Sequence, residues 1–575
     1  MATDGMPLRA IPSHRRLIRE ILRRPGERGV DVGSTRRRVV ALLVLAALPP
    51  MLEGGLLMAL GFHAARGLAP QATAVWPYDS YHDLRWLLVY HDSWGAFLLG
   101  LVTVTVARGM LSAGLTALAW PAGAARPAWN WLVRRNLSVA VLAALVISPW
   151  AALSVAFSAV SLSWYLFGSL VPMLVLAPFL ARAGVAAGWW RGLPTIELFG
   201  WSSLNFLLLT LAGALISSVP GWWAVGVAAL TGVANGLLWR RAVAAAVLPA
   251  RVRLPRLPVA PIAIGLAVVG AVWAEALVGI AGGGRHGPWM PPILSDRLSD
   301  RVPYAIIVLS GHDSGWDGEP AADPRVERFS YRGLDAQSRP LPYPPEATHR
   351  SLDSSSALLA AQVDALHHRT GRPIALFGNS EGSMVARTYL ERLPRGPVSA
   401  VVMFSPLVQA GRTYYPPPGH EGWGVAAGWE LRVLFWLANL PRPIKDHPDE
   451  PFVRSVLVDA PFYRNRILCP VPGVRMIAFL PTVSAAEAPP GEYSRIPVYQ
   501  EPAFHGGLIG RRAVEDRVEA FLAGEPVAQP RREYALLQQL GAAWQAPPLV
   551  LALNPLWSAT REGDPALTGR VCEPR

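Results

Sequence analysis

Apolar stretches of membrane-spanning length dominate the first half of this chain and are absent from the second. They run over Val39–Phe62, Trp94–Trp120, Leu137–Phe157, Trp164–Val185, Phe199–Ser217, Trp222–Trp239 and Val259–Ala281. Each is close to the ~20 residues an α-helix needs to cross a hydrocarbon core. Lipid offers backbone groups no hydrogen-bond partner, so segments of this kind are expected as helices. The reading is an all-α transmembrane bundle of about seven spans over residues 39–281. The third and fourth stretches are nearly continuous and must turn around Ser158–Ser163, as the fifth and sixth must around Ser218–Gly221. Merging either pair would change the parity of the bundle.

Charge placement sets the orientation. The 575 residues are 52% hydrophobic and 16% charged with a net charge of +13, too apolar for an ordinary soluble multidomain protein. The positive balance could suit a nucleic-acid binder, but its arginines sit where a membrane protein keeps them. Arg15, Arg16, Arg19, Arg23, Arg24, Arg36, Arg37 and Arg38 precede the first span. Arg126, Arg134 and Arg135, then Arg182 and Arg191, then Arg240, Arg241, Arg251, Arg253 and Arg256 border alternate connections. This is the positive-inside pattern. It argues against nucleic acid as the partner and predicts a multi-pass integral membrane protein with a cytoplasmic N-terminus. Seven spans then put everything after Ala281 outside the cytoplasm, and His63–Ser93 becomes the first outside loop. The only ionisable residues well inside spans are Glu53, Arg108 and Glu275; they form no repeated motif, so interhelical pairing or snorkelling is the expectation over transport.

Beyond Gly282-Gly283-Gly284 and a Pro-rich linker to Val302, strand-like runs recur at Tyr304–Leu309, Val326–Tyr331, Pro373–Phe377, Val398–Phe404 and Val474–Leu480. Helix-like segments lie between several of them, notably Leu352–His368 and Ser383–Leu393. Alternating strand and helix predicts a parallel, covered sheet. Between one strand and one helix stands Gly378-Asn379-Ser380-Glu381-Gly382. A G-x-S-x-G turn in this context holds its serine on a sharp bend at a helix N-terminus, with glycines where nothing else fits.

In order and in kind, residues 302 to 522 resemble the α/β-hydrolase superfamily. The resemblance implies a serine nucleophile, then an acid, then a histidine along the chain. Ser380 takes the first place. His505, in Ala503-Phe504-His505-Gly506-Gly507, takes the last, because a loop histidine before the final helix is where the superfamily keeps its base. His420 and His447 precede the Val474–Leu480 strand and fit that order poorly. The acid is expected in the loop after Val474–Leu480, where Glu487 is the near carboxylate; Glu492 farther on and Asp459 before that strand are fallbacks. The oxyanion hole would use backbone N–H groups of Glu381 and of His312 or Asp313, in the turn after the first strand. That turn reads Ser310-Gly311-His312, whereas the superfamily usually puts histidine before glycine.

The resulting plan is a basic N-terminus (1–38), a transmembrane region (39–281), a linker (282–302), a hydrolase-like domain (303–524) with a cap insertion at about 406–470, and an extension (525–575). In the insertion Trp429, Val433, Trp436, Leu437 and Leu440 recur at helical spacing, either packing on the core or forming an apolar lid. Cys469 and Cys572 could form a disulfide in an oxidising compartment or stay as buried thiols. They are too few for a zinc site of their own; no metal-ligand cluster or cofactor fingerprint is visible, so a cofactor-independent mechanism is expected. The function implied is serine hydrolysis of an ester, with a lipid or acyl ester preferred and the bilayer as partner. The rivals are an acyltransferase with the same triad, and a transporter or sensor with an inactive hydrolase-like domain.

Overall fold

The computed structural model describes residues 32–60, 63–157, 171–248, 262, 265, 291–393, 396–407, 415–440, 447–458, 466–481, 496–501, 503, 505–526 and 540–544. Its first half is helical: α1 (Val32–Ala59), α2 (Tyr78–Val89), α3 (Trp94–Ala119), α4 (Trp129–Phe157), α5 (Val171–Ala183), α6 (Ile196–Ser218) and α7 (Trp223–Val247). Four of the described helices are long and apolar enough to cross a membrane, over Thr35–Ala59, Trp94–Ala119, Trp129–Val155 and Ile196–Ser218. The expected seven spans are not found among the described residues. Of Trp164–Val185 only the short α5 is described. Helix α7 has the length, but Thr231, Asn235, Arg240 and Arg241 dilute its apolar character. The stretch Val259–Ala281, with Glu275, lies outside the described residues apart from positions 262 and 265.

Small residues let these helices touch backbone to backbone, as suits association in lipid. A Cβ on Gly232 of α7 would stand 2.4 Å from the Ala46 carbonyl oxygen of α1. A Cβ on Gly109 of α3 would meet Leu137 of α4 at 2.6 Å, which pairs the middle of one helix with the start of the next and makes α3 and α4 an antiparallel hairpin.

The segment expected as an outside loop, His63–Ser93, is instead folded and sunk into the bundle. A 3-10 helix, His63–Thr73, leads into α2, and Gln71, Asp79 and Arg85 are fully buried. Irregular backbone is tolerated there because the helices satisfy it. Asn235 Nδ2 donates to the Pro70 carbonyl at 2.9 Å, Trp239 Nε1 to that of Thr73 at 3.1 Å, and Val75 N–H to Asn205 Oδ1 at 2.9 Å. The same segment partners the intramembrane charges. Arg108 grips both carboxylate oxygens of Asp83 at 2.8 and 2.7 Å, and Glu53 lies 2.9 Å from His82 Nε2. Pairing between elements, as expected for Glu53 and Arg108, is the arrangement observed.

The second half holds a six-stranded, wholly parallel sheet in the order β2-β1-β3-β4-β5-β6. Its strands are β1 (Ala305–Leu309), β2 (Val326–Arg328), β3 (Ile374–Asn379), β4 (Val398–Phe404), β5 (Arg475–Pro481) and β6 (Val498–Glu501). Helices α8 (Leu352–Thr370), α9 (Glu381–Arg392) and α12 (Arg512–Leu522) cover it, with α10 (Val425–Asn439) and α11 (Pro451–Val458) in the insertion. Strand residues feed two cores by alternation. Ile307, Leu309 and Leu376 face Leu359, Val363 and Met384 on one side, while Ile306, Val308 and Phe377 face Val514, Val518 and Phe521 on the other. Order reverses between β1 and β3, and at such a switch point the loops leaving the strand ends part to form a crevice.

The insertion does not stand apart from the bundle. His91, beside the start of α3, accepts hydrogen bonds from Gly424 N–H at its carbonyl (2.8 Å) and from Ala426 N–H at Nε2 (2.9 Å). Ser148 of α4 donates to Glu430 at 2.5 Å. An apolar cavity of about 280 Å³ lies in this junction, lined by Phe97, Trp150, Trp429, Val433 and Leu437 among others. Farther along α10, Trp436 and Leu440 are more than 60% exposed, at 61% and 64%. The extension also returns to the bundle, where Trp544 stacks on Phe206 at 4.7 Å and donates to Thr210 at 2.9 Å.

Burial at this junction pushes Glu430 up to about 7, well above its unfolded value. A group shifted in that direction contributes full stability below its unfolded pKa and loses it as pH rises through the folded one. Glu430→Gln, which keeps the neutral shape, should therefore raise the apparent melting stability of the detergent-solubilised protein at pH 8 by on the order of 1–2 kcal/mol and leave it nearly unchanged at about pH 4, below the unfolded pKa. Equal effects at both pH values would show that the carboxyl is not titrating in the junction.

Candidate active site

Ser380 sits at the carboxyl end of β3, where chain geometry forces it forward. Its backbone has φ 51° and ψ −115°, a strained region that a non-glycine residue occupies only when its surroundings impose it. Three contacts impose it here. Ser380 N–H donates to the Phe404 carbonyl at 2.8 Å. Ser383 Oγ donates to the Gly378 carbonyl at 2.8 Å. The helix α9 begins at once, and its close approach leaves no room for side chains at the flanking positions. A Cβ on Gly378 would lie 2.7 Å from Ser383 N and Cα, and one on Gly382 would lie 2.4 Å from the Leu309 carbonyl oxygen. Both glycines singled out in the sequence are thus explained by close approach rather than by their own dihedral angles.

His505, in the turn that follows β6, brings its Nε2 to 2.9 Å from Ser380 Oγ. These two residues are far apart in sequence and are joined only by the parallel sheet. The surrounding protein strips water from the charged imidazole and holds its pKa at about 4, so the ring is neutral at pH 7 and can accept a proton. Glu487, with its fallbacks Glu492 and Asp459, lies outside the described residues. The two histidines set aside on sequence order, His420 and His447, fall at positions flanking the insertion helix α10, and His447 instead lies 3.9 Å from Asp449.

The turn after β1 faces the elbow. A Cβ on Gly311 would lie 3.2 Å from Ser380 Cβ, so the glycine lets this turn approach the serine. Of the two oxyanion candidates there, Asp313 has its N–H engaged by Thr348 Oγ1 at 2.9 Å, which leaves His312 as the better placed. Glu381, whose N–H is the other candidate donor, starts α9 and buries its side chain almost completely. Burial pushes its carboxyl up to about 7, opposed by His312, whose Nδ1 lies 3.0 Å from Glu381 Oε2.

Sequence reasoning missed what surrounds His312. Its Nε2 lies 3.0 Å from Glu450 Oε1, and His349 Nδ1 lies 2.8 Å from Glu450 Oε2. The two imidazoles stack at 4.7 Å, and Phe452 stacks on the far side of His312 at 4.8 Å. These residues come from a turn, a short 3-10 helix (Pro345–His349) and the start of the insertion helix α11. No local motif links them, so no spacing rule would have found them. Cys469 is buried and disulfide-bonded; Cys572 lies outside the described residues.

Chemically, the arrangement offers a hydroxyl on a strained turn, a neutral imidazole in hydrogen-bond reach, and a helix N-terminus beneath them. Comparison with protein-family models, curated proteins and solved structures gives no match for this chain.

Proposed function

We propose that the chain is a membrane-embedded serine hydrolase of the α/β-hydrolase kind, with Ser380 as nucleophile and His505 as general base. The observation that carries this reading is the 2.9 Å contact between Ser380 Oγ and His505 Nε2 across a strained strand–turn–helix elbow. Support comes also from the sheet order, with the elbow and the Gly311 turn on either side of the switch point.

In the proposed reaction Ser380 Oγ attacks an ester carbonyl as its proton passes to His505 Nε2. The tetrahedral oxyanion receives hydrogen bonds from backbone N–H groups, His312 and Glu381 being the assigned donors. Collapse expels the alkoxide, which takes the proton from His505, and leaves the serine acylated. Water, deprotonated by the same imidazole, then releases the acid and restores the enzyme. Glu487 is assigned to orient the imidazole through Nδ1.

A lipid or other acyl ester suits the surroundings. The insertion joins the bundle at the α3–α4 end remote from Arg126, Arg134 and Arg135, with an apolar cavity in the junction and exposed Trp436 and Leu440 beside it. By the positive-inside rule we assign that end, and with it the sheet, to the outside of the cytoplasm. Labelling with a fluorophosphonate tests the proposal: wild type should react covalently at Ser380, and Ser380→Ala should not. Equal resistance of both proteins would sink the enzyme reading.

A further inference from the structure

The geometry assigns a second site to this chain: a binding site for one divalent transition-metal ion of the zinc class, formed by His312, His349 and Glu450. It goes beyond the hydrolase reading and does not depend on it.

Each residue offers one ligand atom, and these atoms lie within 4.8 Å of one another. The closest approaches are 3.0 Å for His312 Nε2 to Glu450 Oε1 and 2.8 Å for His349 Nδ1 to Glu450 Oε2. Ligands bound tetrahedrally at about 2.0–2.2 Å stand roughly 3.3–3.5 Å apart. The two histidine–carboxylate contacts therefore need to open by only about half an ångström or less to accept an ion between them. Two nitrogens and a carboxylate select zinc, cobalt, nickel, copper or iron over magnesium and calcium, which prefer oxygen throughout.

Two further observations point to a cation. Glu450 is only 8% exposed, and its Oε2, although 2.8 Å from His349 Nδ1, has no hydrogen-bond partner among the described residues. A buried carboxylate oxygen this close to an imidazole nitrogen suits a cation shared between the two. The distal nitrogens of both histidines then face carboxylates: His312 Nδ1 is 3.0 Å from Glu381, and His349 Nε2 is 3.7 Å from Asp313. Carboxylate behind imidazole behind metal is how protein metal sites fix ring orientation and raise ligand basicity. A divalent ion would also balance the buried carboxylates of Glu381 and Glu450. Such an ion would tie the start of α11 to the turn after β1, and so hold the insertion and the Gly311–His312 backbone in register beside Ser380.

The test uses the full chain in detergent, stripped with chelator, incubated with Zn²⁺ or Co²⁺ alone, freed of excess ion and measured by elemental analysis. Wild type and Ser380→Ala should each retain about one ion per chain, and Co²⁺ should give a visible absorption band. Glu450→Gln and His349→Gln should each weaken retention at least tenfold. Zn²⁺ should raise the melting temperature of wild type, a readout that stands even where a variant fails to fold. Wild type that retains no more ion than the Glu450→Gln/His349→Gln double variant, with no zinc-dependent shift in melting, overturns the site. Fluorophosphonate labelling is untouched by that result, so the two proposals fail separately.

Discussion

His505→Ala should lower the rate of fluorophosphonate labelling, and of hydrolysis of a short acyl p-nitrophenyl ester, by on the order of 10³-fold or more while leaving the protein folded. A serine hydroxyl is a weak nucleophile at neutral pH, and in the proposed mechanism His505 Nε2, 2.9 Å away, would be the base that removes its proton. Only the neutral ring can do this. Because burial lowers its pKa to about 4, wild-type reactivity should stay level from pH 8 down to about pH 5 and fall below that. An exposed histidine would give a midpoint near ~6.5 instead. A midpoint there, or a His505→Ala protein that still labels at the wild-type rate, would remove His505 from the proposed mechanism. In the same assay Glu487→Ala should cost on the order of 10²–10⁴-fold, with Glu492→Ala and Asp459→Ala close to wild type; a reversal would reassign the acid.

What was legible in the sequence was local or periodic. The GNSEG pentapeptide announced its turn because the glycines, the preceding apolar run and the following helix are contiguous. Five of the six strands were visible as strand-like runs, four of them largely apolar because both faces of a parallel sheet are buried. The sixth, Val498–Glu501, is four residues with one fully buried position and two polar side chains, too short and too mixed to stand out. His505 was singled out by the glycines that follow it and by its place before the final helix, as the superfamily order implies. Features built by long-range assembly were invisible. Nothing in the composition of His63–Ser93 says that Asn205, Asn235 and Trp239 will supply its hydrogen bonds, so it read as a loop. The same holds for His312, His349 and Glu450, which meet only after the sheet, a 3-10 helix and the insertion have been placed. Among the described residues four helices rather than seven reach spanning length and apolarity, Trp164–Val185 and Val259–Ala281 being described only in part; α7 falls short because it trades apolar length for Gly, Thr and Asn that let it pack against α1 and the buried 3-10 segment.

Gly382→Ala should destabilise the sheet half by about 3 kcal/mol or more, although alanine is normally the better helix residue by ~1 kcal/mol. Position 382 is the second residue of α9, and its Cα rests against the last residue of β1. An added Cβ would stand 2.4 Å from the Leu309 carbonyl oxygen and 2.7 Å from both the Leu309 carbonyl carbon and Cβ. Those are atoms of a strand paired on both sides, with β2 and with β3. Neither the strand nor the helix can retreat alone, because Ser380 N–H is held by the Phe404 carbonyl and Ser383 Oγ by the Gly378 carbonyl. Relief must come from a shift of the whole α9 N-terminus, which carries Ser380 Oγ away from His505 and moves the Glu381 N–H. The variant should thus show a lower melting temperature and, in whatever fraction stays folded, a labelling rate reduced more than the loss of folded protein explains. Unchanged melting together with wild-type labelling would mean that α9 stands farther from β1 than the geometry has it, and the strained elbow on which the proposed nucleophile depends would go with it.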